Sequence, residues 1–175
     1  KASGIRIVVT YHSQNYQHQK WGRYAKKLLK LGEFFATRMA DHIIHVSQGQ
    51  MKKIPGRSKS FIPNGVFVPT PSSSTDFIDR LGIIPNQYIL AVGRLTPEKG
   101  FDDLVRAFSL YKGDQKLVIA GDADQSSNYS EALLKLASSD SRIVMTGFIS
   151  GEPLKQVYGN ASLFVLPSRN EGLPI

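Results

Sequence analysis

From one end of the chain to the other, short runs of β-branched and apolar residues alternate with longer segments of helical pattern. The runs cover residues 5–10, 42–46, 60–62, 88–92, 116–120, 142–146 and 163–166. Helical patterns near 20–40, 47–54, 75–82, 98–112, 127–138 and 152–159 fill the gaps. Runs this apolar cannot leave one face in water, so they predict parallel strands covered by helices on both sides, an α/β fold. No repeat of fixed period competes with that pattern.

Charge divides the same chain in two. Residues 1–60 hold 12 Lys and Arg against 2 Asp and Glu, and all four histidines, whereas the remainder holds 10 against 12. The stretch from Pro63-Asn64-Gly65 to Ser72-Ser73-Ser74 is rich in turn formers and coincides with the change of charge, which marks a boundary there. Near residues 20–40, Trp21, Ala25, Leu28, Phe35 and Met39 fall within about 40° of one line on a helical wheel and predict a core-facing stripe. Lys20, Arg23, Lys26, Lys27 and Lys30 lie opposite. Such a cationic amphipathic helix serves as a packed helix with a solvated back, or as an interfacial helix on an anionic membrane surface.

Several function classes lose their footing. Without cysteine there is no disulfide framework and no thiolate metal site, which favours a cytoplasmic location. No apolar run in these residues approaches the roughly 18 that a transmembrane helix needs. The Walker phosphate loop, the G-x-G-x-x-G fingerprint, the H-E-x-x-H zinc helix and the G-x-S-x-G elbow are all missing from these residues. Nucleic-acid binding is disfavoured too, because Trp21 and Phe35 lie away from the lysines rather than among them.

In an open parallel sheet, ligands bind outside the carboxyl ends of the strands. Four glycine-bearing loops follow predicted strands of the second half. After residues 88–92 comes Gly93-Arg94-Leu95-Thr96-Pro97-Glu98-Lys99-Gly100, where Arg94 and Lys99 bracket a predicted helix start and suit a diphosphate without a metal. The others are Gly121-Asp122-Ala123-Asp124, Gly147-Phe148-Ile149 and Pro167-Ser168-Arg169-Asn170-Glu171-Gly172-Leu173-Pro174. Glu171 before Gly172 is the best candidate to bind sugar hydroxyls. Asp122 and Asp124 read as turn formers, with no third ligand at a metal-site spacing. In the basic half, His12 ends the first predicted strand and points to a cleft, whereas His42 and His45 read as structural or surface residues and His18 gives no positional clue.

The order Gly93-Arg94-Leu95-Thr96-Pro97-Glu98-Lys99-Gly100, Ile119-Ala120-Gly121, Thr146-Gly147-Phe148 and Pro167 to Pro174 resembles the family 4 glycosyltransferases. Ile62-Pro63-Asn64-Gly65-Val66, Val46-Ser47 and Thr10-Tyr11-His12-Ser13 are similar to further landmarks of that family, so the resemblance runs over nearly the whole chain. It implies a GT-B fold, two Rossmann-like domains facing a cleft. Residues 1–65 would be the C-terminal portion of the first, acceptor-side domain, 66–75 a linker, and 76–175 a truncated donor-binding domain.

The resemblance further implies retaining sugar transfer from a nucleotide-diphosphate sugar of UDP or GDP type, with no cofactor and no metal. Arg94 and Lys99 would neutralise the leaving diphosphate beside Gly93, and the backbone around Phe148 and Ile149 would meet the base. Glu171 would hold the sugar hydroxyls, with Gly172, Leu173 and Pro174 approaching sugar and phosphate. His12 would stabilise the transition state. The acceptor would be a glycan or lipid-linked, as in polysaccharide biosynthesis, and the basic helix would place the enzyme on the inner face of a membrane. The family's second glutamate, eight positions after Glu171, and its opening glycine-rich loop are outside these residues, and Ser13 stands where many relatives have glycine. The chain therefore reads as a fragment that is inactive alone. A non-catalytic nucleotide-sugar-binding module and a sugar-nucleotide epimerase are the rival readings.

Overall fold

Two separate parallel sheets carry the strands. A computed structural model describes residues 4–12, 22–56, 58–70, 72, 74–169 and 171, and Ser13, His18, Trp21, Asn170, Gly172, Leu173 and Pro174 lie outside these residues. The chain divides into two compact units between Phe67 and Val68, inside the turn-rich stretch, with Glu171 grouped with the first unit.

The first unit holds β1 (Val8–Tyr11), α1 (Arg23–Met39), β2 (His42–His45), α2 (Gln48–Lys53) and β3 (Lys59–Phe61), with the strands in the order β1-β2-β3, all parallel. Its buried core is small: Tyr11, Ala40, Ile43 and Ile54, with Val9 against them. Tyr11 and His45 are register partners at the carboxyl ends of β1 and β2, with ring centroids 5.7 Å apart. His45 is fully buried and neither ring nitrogen has a hydrogen-bond partner. Burial, and then the charge of Lys59, hold its pKa below the ordinary 6.5. His42 is bonded to the hydroxyls of Ser58 and Ser60.

The helix α1 reverses the expected orientation of its apolar stripe. Its half-buried and buried positions are Ala25, Lys26, Leu29, Glu33 and Thr37, an i, i+4 row that the Tyr11 hydroxyl meets by donating to Glu33. Leu28, Phe35 and Met39, predicted to face the core, point outward together with Tyr24 and Leu31, and these five are between 48% and 85% exposed. The wheel located the apolar row correctly but not the side that packs. Periodicity shows that residues share a face, and only tertiary contacts decide what that face meets.

The second unit holds α3 (Asp76–Arg80), β4 (Tyr88–Val92), α4 (Phe101–Ser109), β5 (Lys116–Ala120), α5 (Asn128–Ala137), β6 (Ile143–Gly147), α6 (Gly151–Gly159) and β7 (Leu163–Phe164). Its strands run β6-β5-β4-β7, all parallel. Alternate residues of the central strands feed two cores. Ala91, Leu117 and Ile119 pack under Phe101, Val105 and Phe108 of α4 and Leu133 of α5. Tyr88, Leu90, Val118 and Ala120 pack under Ile78 of α3 and Val157 of α6. Burial on both faces explains why these strands read as unbroken apolar runs. Burial also pushes the Tyr88 hydroxyl up to about 12 while it donates to the Val157 carbonyl.

Several boundaries differ from the pattern-based expectation; β1, for example, starts at Val8 and not at residue 5. The segment expected to form one helix over 98–112 is a 3₁₀ turn, Pro97–Lys99, then Gly100 in the left-handed region at φ 65°, then α4. The strand expected over 163–166 is shorter, although Val165 N–H still donates to the Leu90 carbonyl at 2.8 Å.

Candidate functional site

Strand order reverses at β4: the chain passes outward through β5 and β6 and then returns to β7 on the other side. Ligands of open α/β sheets bind at such a reversal, outside the carboxyl ends. Backbone hydrogen bonds staple the loops there. Gly93 N–H donates to the Ala120 carbonyl at 3.0 Å, Gly121 N–H to the Gly147 carbonyl at 2.9 Å, and Leu95 N–H to the Asp122 carbonyl at 3.0 Å. Gly121 is required by this approach. It has φ 145°, and a Cβ there would lie 1.9 Å from the Gly93 carbonyl oxygen.

These loops line a pocket of about 530 Å³, to which Gly93, Arg94, Gly121, Asp124, Phe148 and Ile149 contribute. Four of the residues expected at a donor site are thus brought together. Lys99 is in the 3₁₀ turn, half-buried, with its stem beside Gly93. His12 is exposed immediately after β1 in the first unit, and its carbonyl accepts from the Gln50 side chain. Glu171 is grouped with that unit.

The electrostatics of the pocket were only partly foreseen. Arg94 donates through Nη1 to the Asp124 carboxylate at 3.0 Å, and both side chains are well exposed. Asp124 is therefore more than a turn former, whereas Asp122 caps its own turn by accepting from Ala123 N–H at 2.7 Å. The first turn of α4 carries Asp102 and Asp103, both bonded to Arg169. Burial pushes the Asp102 carboxyl up, but hydrogen bonds from Arg169 and Tyr129 outweigh it and hold the group below its ordinary value. The partial positive charge of that helix end is thus already matched by carboxylates. Arg94 is in the loop that follows β4 and Lys99 is in the 3₁₀ turn before α4. Among the described residues, no three His, Asp or Glu side chains cluster as a metal-holding group.

A glycine-lined pocket at the reversal of a parallel sheet, with Arg94 among its lining residues, defines a Rossmann-like unit. The chain belongs to the group 1 glycosyl transferases, whose family model matches residues 73–175. It is 42% identical over 82 residues to an uncharacterized glycosyltransferase of Methanocaldococcus jannaschii, covering 46% of this chain and 21% of that protein. It is 26% identical to the putative teichuronic acid biosynthesis glycosyltransferase TuaC of Bacillus subtilis, covering 99% of this chain and 44% of the relative. The fold is shared with Anabaena HepE, solved in complex with UDP-glucose, at a TM-score of 0.76 and 20% identity over 95% of this chain and 48% of HepE. The chain therefore spans less than half the length of each of these proteins.

Proposed function

We propose that this chain supplies the nucleotide-sugar site of a retaining, metal-independent glycosyltransferase that acts on a glycan or lipid-linked acceptor. The observation that carries the reading is the pocket at the end of β4, where Gly93, Arg94, Phe148 and Ile149 converge. HepE holds UDP-glucose on the same fold, which supports a nucleoside diphosphate of UDP or GDP type as the occupant.

In this reading the bond from the anomeric carbon to the diphosphate oxygen breaks, and its electron pair stays on the diphosphate. Arg94 and Lys99 stabilise that developing charge, in a pocket whose loops are already held by backbone bonds. Glu171 orients the sugar hydroxyls, and His12 stabilises the electron-poor sugar. The acceptor oxygen bonds to the anomeric carbon on the face the diphosphate leaves, and its proton departs with the diphosphate. Orientation and electrostatics supply the rate, with no covalent step on the protein.

Calorimetric titration of the full-length protein with UDP, GDP and ADP in EDTA tests this directly. Saturable binding of one diphosphate is expected. If none of the three binds, the reading is abandoned; if binding needs a divalent cation, metal independence is.

The acceptor side fits the outward row of α1. Tyr24, Leu28, Leu31, Phe35 and Met39 form an exposed apolar band; on the wheel Arg38 and Lys27 flank one edge of it, and Arg23 and Lys30 lie further round toward the opposite side. Lysine is depleted at protein–protein contacts, while apolar residues edged by cations suit an anionic lipid surface. No described helix is long and apolar enough to cross a membrane, so the contact would be peripheral, on the cytoplasmic face. The full-length protein should sediment with phosphatidylglycerol vesicles at low salt and lose this with Leu31→Glu or Phe35→Glu. Indifference to the vesicles, or self-association through α1 in their place, sinks the membrane assignment.

A further inference from the structure

Between Leu95 and Phe101, which are 3% and 1% exposed, none of the side chains from Thr96 to Lys99 is buried. The internal bonds of this stretch are those of the 3₁₀ turn: Lys99 N–H donates to the Thr96 carbonyl at 3.0 Å and Gly100 N–H to the Pro97 carbonyl at 3.3 Å. Arg169 reaches the turn from the exit of β7. It donates through Nη1 to the Pro97 carbonyl at 2.8 Å, and through its backbone N–H to the Glu98 carbonyl at 2.9 Å. The peptide that links Glu98 to Lys99 is thereby held at both ends, its carbonyl by Arg169 and its N–H by Thr96.

The guanidinium is itself fixed by the first turn of α4. Nε and Nη2 donate to Asp103 Oδ2 at 3.0 and 2.6 Å, and Nη2 to Asp102 Oδ2 at 2.8 Å. Asp102 also accepts from the Tyr129 hydroxyl of α5 at 2.9 Å. The two loops meet backbone to backbone as well, because a Cβ on Gly100 would lie 2.4 Å from the Pro167 carbonyl oxygen. An isolated exposed ion pair fixes little, but a planar guanidinium spread over three acceptors fixes position and angle together. Arg94 is outside this brace. It precedes Leu95, whose N–H donates to the Asp122 carbonyl at 3.0 Å. All of these residues belong to the second unit.

We propose that Arg169 is a positioning residue for Lys99. By bracing the turn at Pro97 and Glu98, it sets where the Lys99 ammonium meets the diphosphate. This rests on the donor-site reading above. On that reading the two cations are supported separately, Arg94 by the bond from Leu95 to the β5 exit and Lys99 by the brace.

The test is titration of the full-length protein with whichever of UDP, GDP and ADP the wild type takes up. Lys99→Ala should weaken binding by about 10–100-fold. Arg169→Ala should cost about three- to tenfold, since the ammonium is displaced and not removed. Double variants separate positioning from a general structural role. With Lys99 already alanine, Arg169→Ala should cost nothing further, whereas with Arg94 already alanine it should cost its full factor. A loss that persists without Lys99 would overturn the proposal. Arg169→Lys keeps a positive charge beside Asp102 and Asp103 but cannot make the fork. It should bind as the alanine variant does, and it carries the test if the alanine variant does not fold. A lysine variant that matches wild type overturns the proposal, and so does a Lys99→Ala protein of wild-type affinity. If the wild type binds none of the three nucleotides, the donor-site reading itself falls, which separates the two failures.

Discussion

Gly121→Ala lowers the melting temperature of the second unit, Val68–Asn170, by about 16–32 °C, the shift expected for about 4 kcal/mol in a unit of roughly 100 residues. The position combines two costs. At φ 145° an alanine is strained by about 1–2 kcal/mol, and its methyl carbon would lie 1.9 Å from the Gly93 carbonyl oxygen, with the carbonyl carbon at 2.8 Å. Overpacking typically adds about 1–3 kcal/mol and more when the obstacle cannot move. Here the obstacle is backbone at the end of the central strand, held by the bond from Gly93 N–H to Ala120.

A companion substitution separates the two costs. Gly147 also has a positive φ, 70°, but a Cβ there meets nothing within 4 Å. Gly147→Ala should therefore show the backbone strain alone, about 1–2 kcal/mol. Calorimetry on both variants decides the matter. If they melt together, the close approach of the β4 and β5 exits is not what requires glycine at 121. Since Gly93 and Gly121 both line the pocket, the same methyl group would also narrow it, and nucleotide binding should fall with stability.

Strands and helices of the second unit were legible because each strand is buried on both faces. Residues 88–92 and 116–120 were located to the residue, since Tyr88–Val92 and Leu117–Ala120 alternate between two helix-covered cores as continuous apolar runs. The helix α1 was misjudged because its row of large apolar residues has the right period for a core stripe, yet the row that packs carries only one large apolar residue, Leu29, among Ala25, Glu33 and Thr37. Small and polar residues leave no hydrophobic signature.

The same logic governs the pocket. Glycines at strand ends announce themselves in a sequence, so Gly93, Gly121 and the Gly147-Phe148 turn could be named in advance. Asp124 and Arg169 could not. Their roles are contacts to residues 30 and 66 positions away, and a surface arginine or aspartate looks the same whether it is spent or free. The signal that was present, Asp102-Asp103 opening α4, was open to reading as complement to the helix dipole alone. Only the fold brings Arg169 to it.

The pairing of Arg94 with Asp124 makes the last prediction two-sided. Arg94→Ala should weaken nucleoside diphosphate binding by about 10–100-fold, the worth of one or two charge-assisted hydrogen bonds to phosphate. Asp124→Asn should act in the opposite direction. The Asp124 carboxylate occupies the guanidinium at 3.0 Å with both groups well exposed, so the pair contributes at most about 1 kcal/mol. A diphosphate must displace that partner, and removing its charge should tighten binding by up to about fivefold. The double variant decides whether the two effects share a cause. If Asp124 acts only by competing for Arg94, Asp124→Asn brings no gain once Arg94 is alanine, and the coupling equals the whole of its single effect. A gain that persists without Arg94 would mean that Asp124, which lines the same pocket, repels the diphosphate directly. An Arg94→Ala protein that binds the nucleotide as wild type does would remove the arginine from the site and leave Lys99 as the sole cation proposed to meet the leaving group.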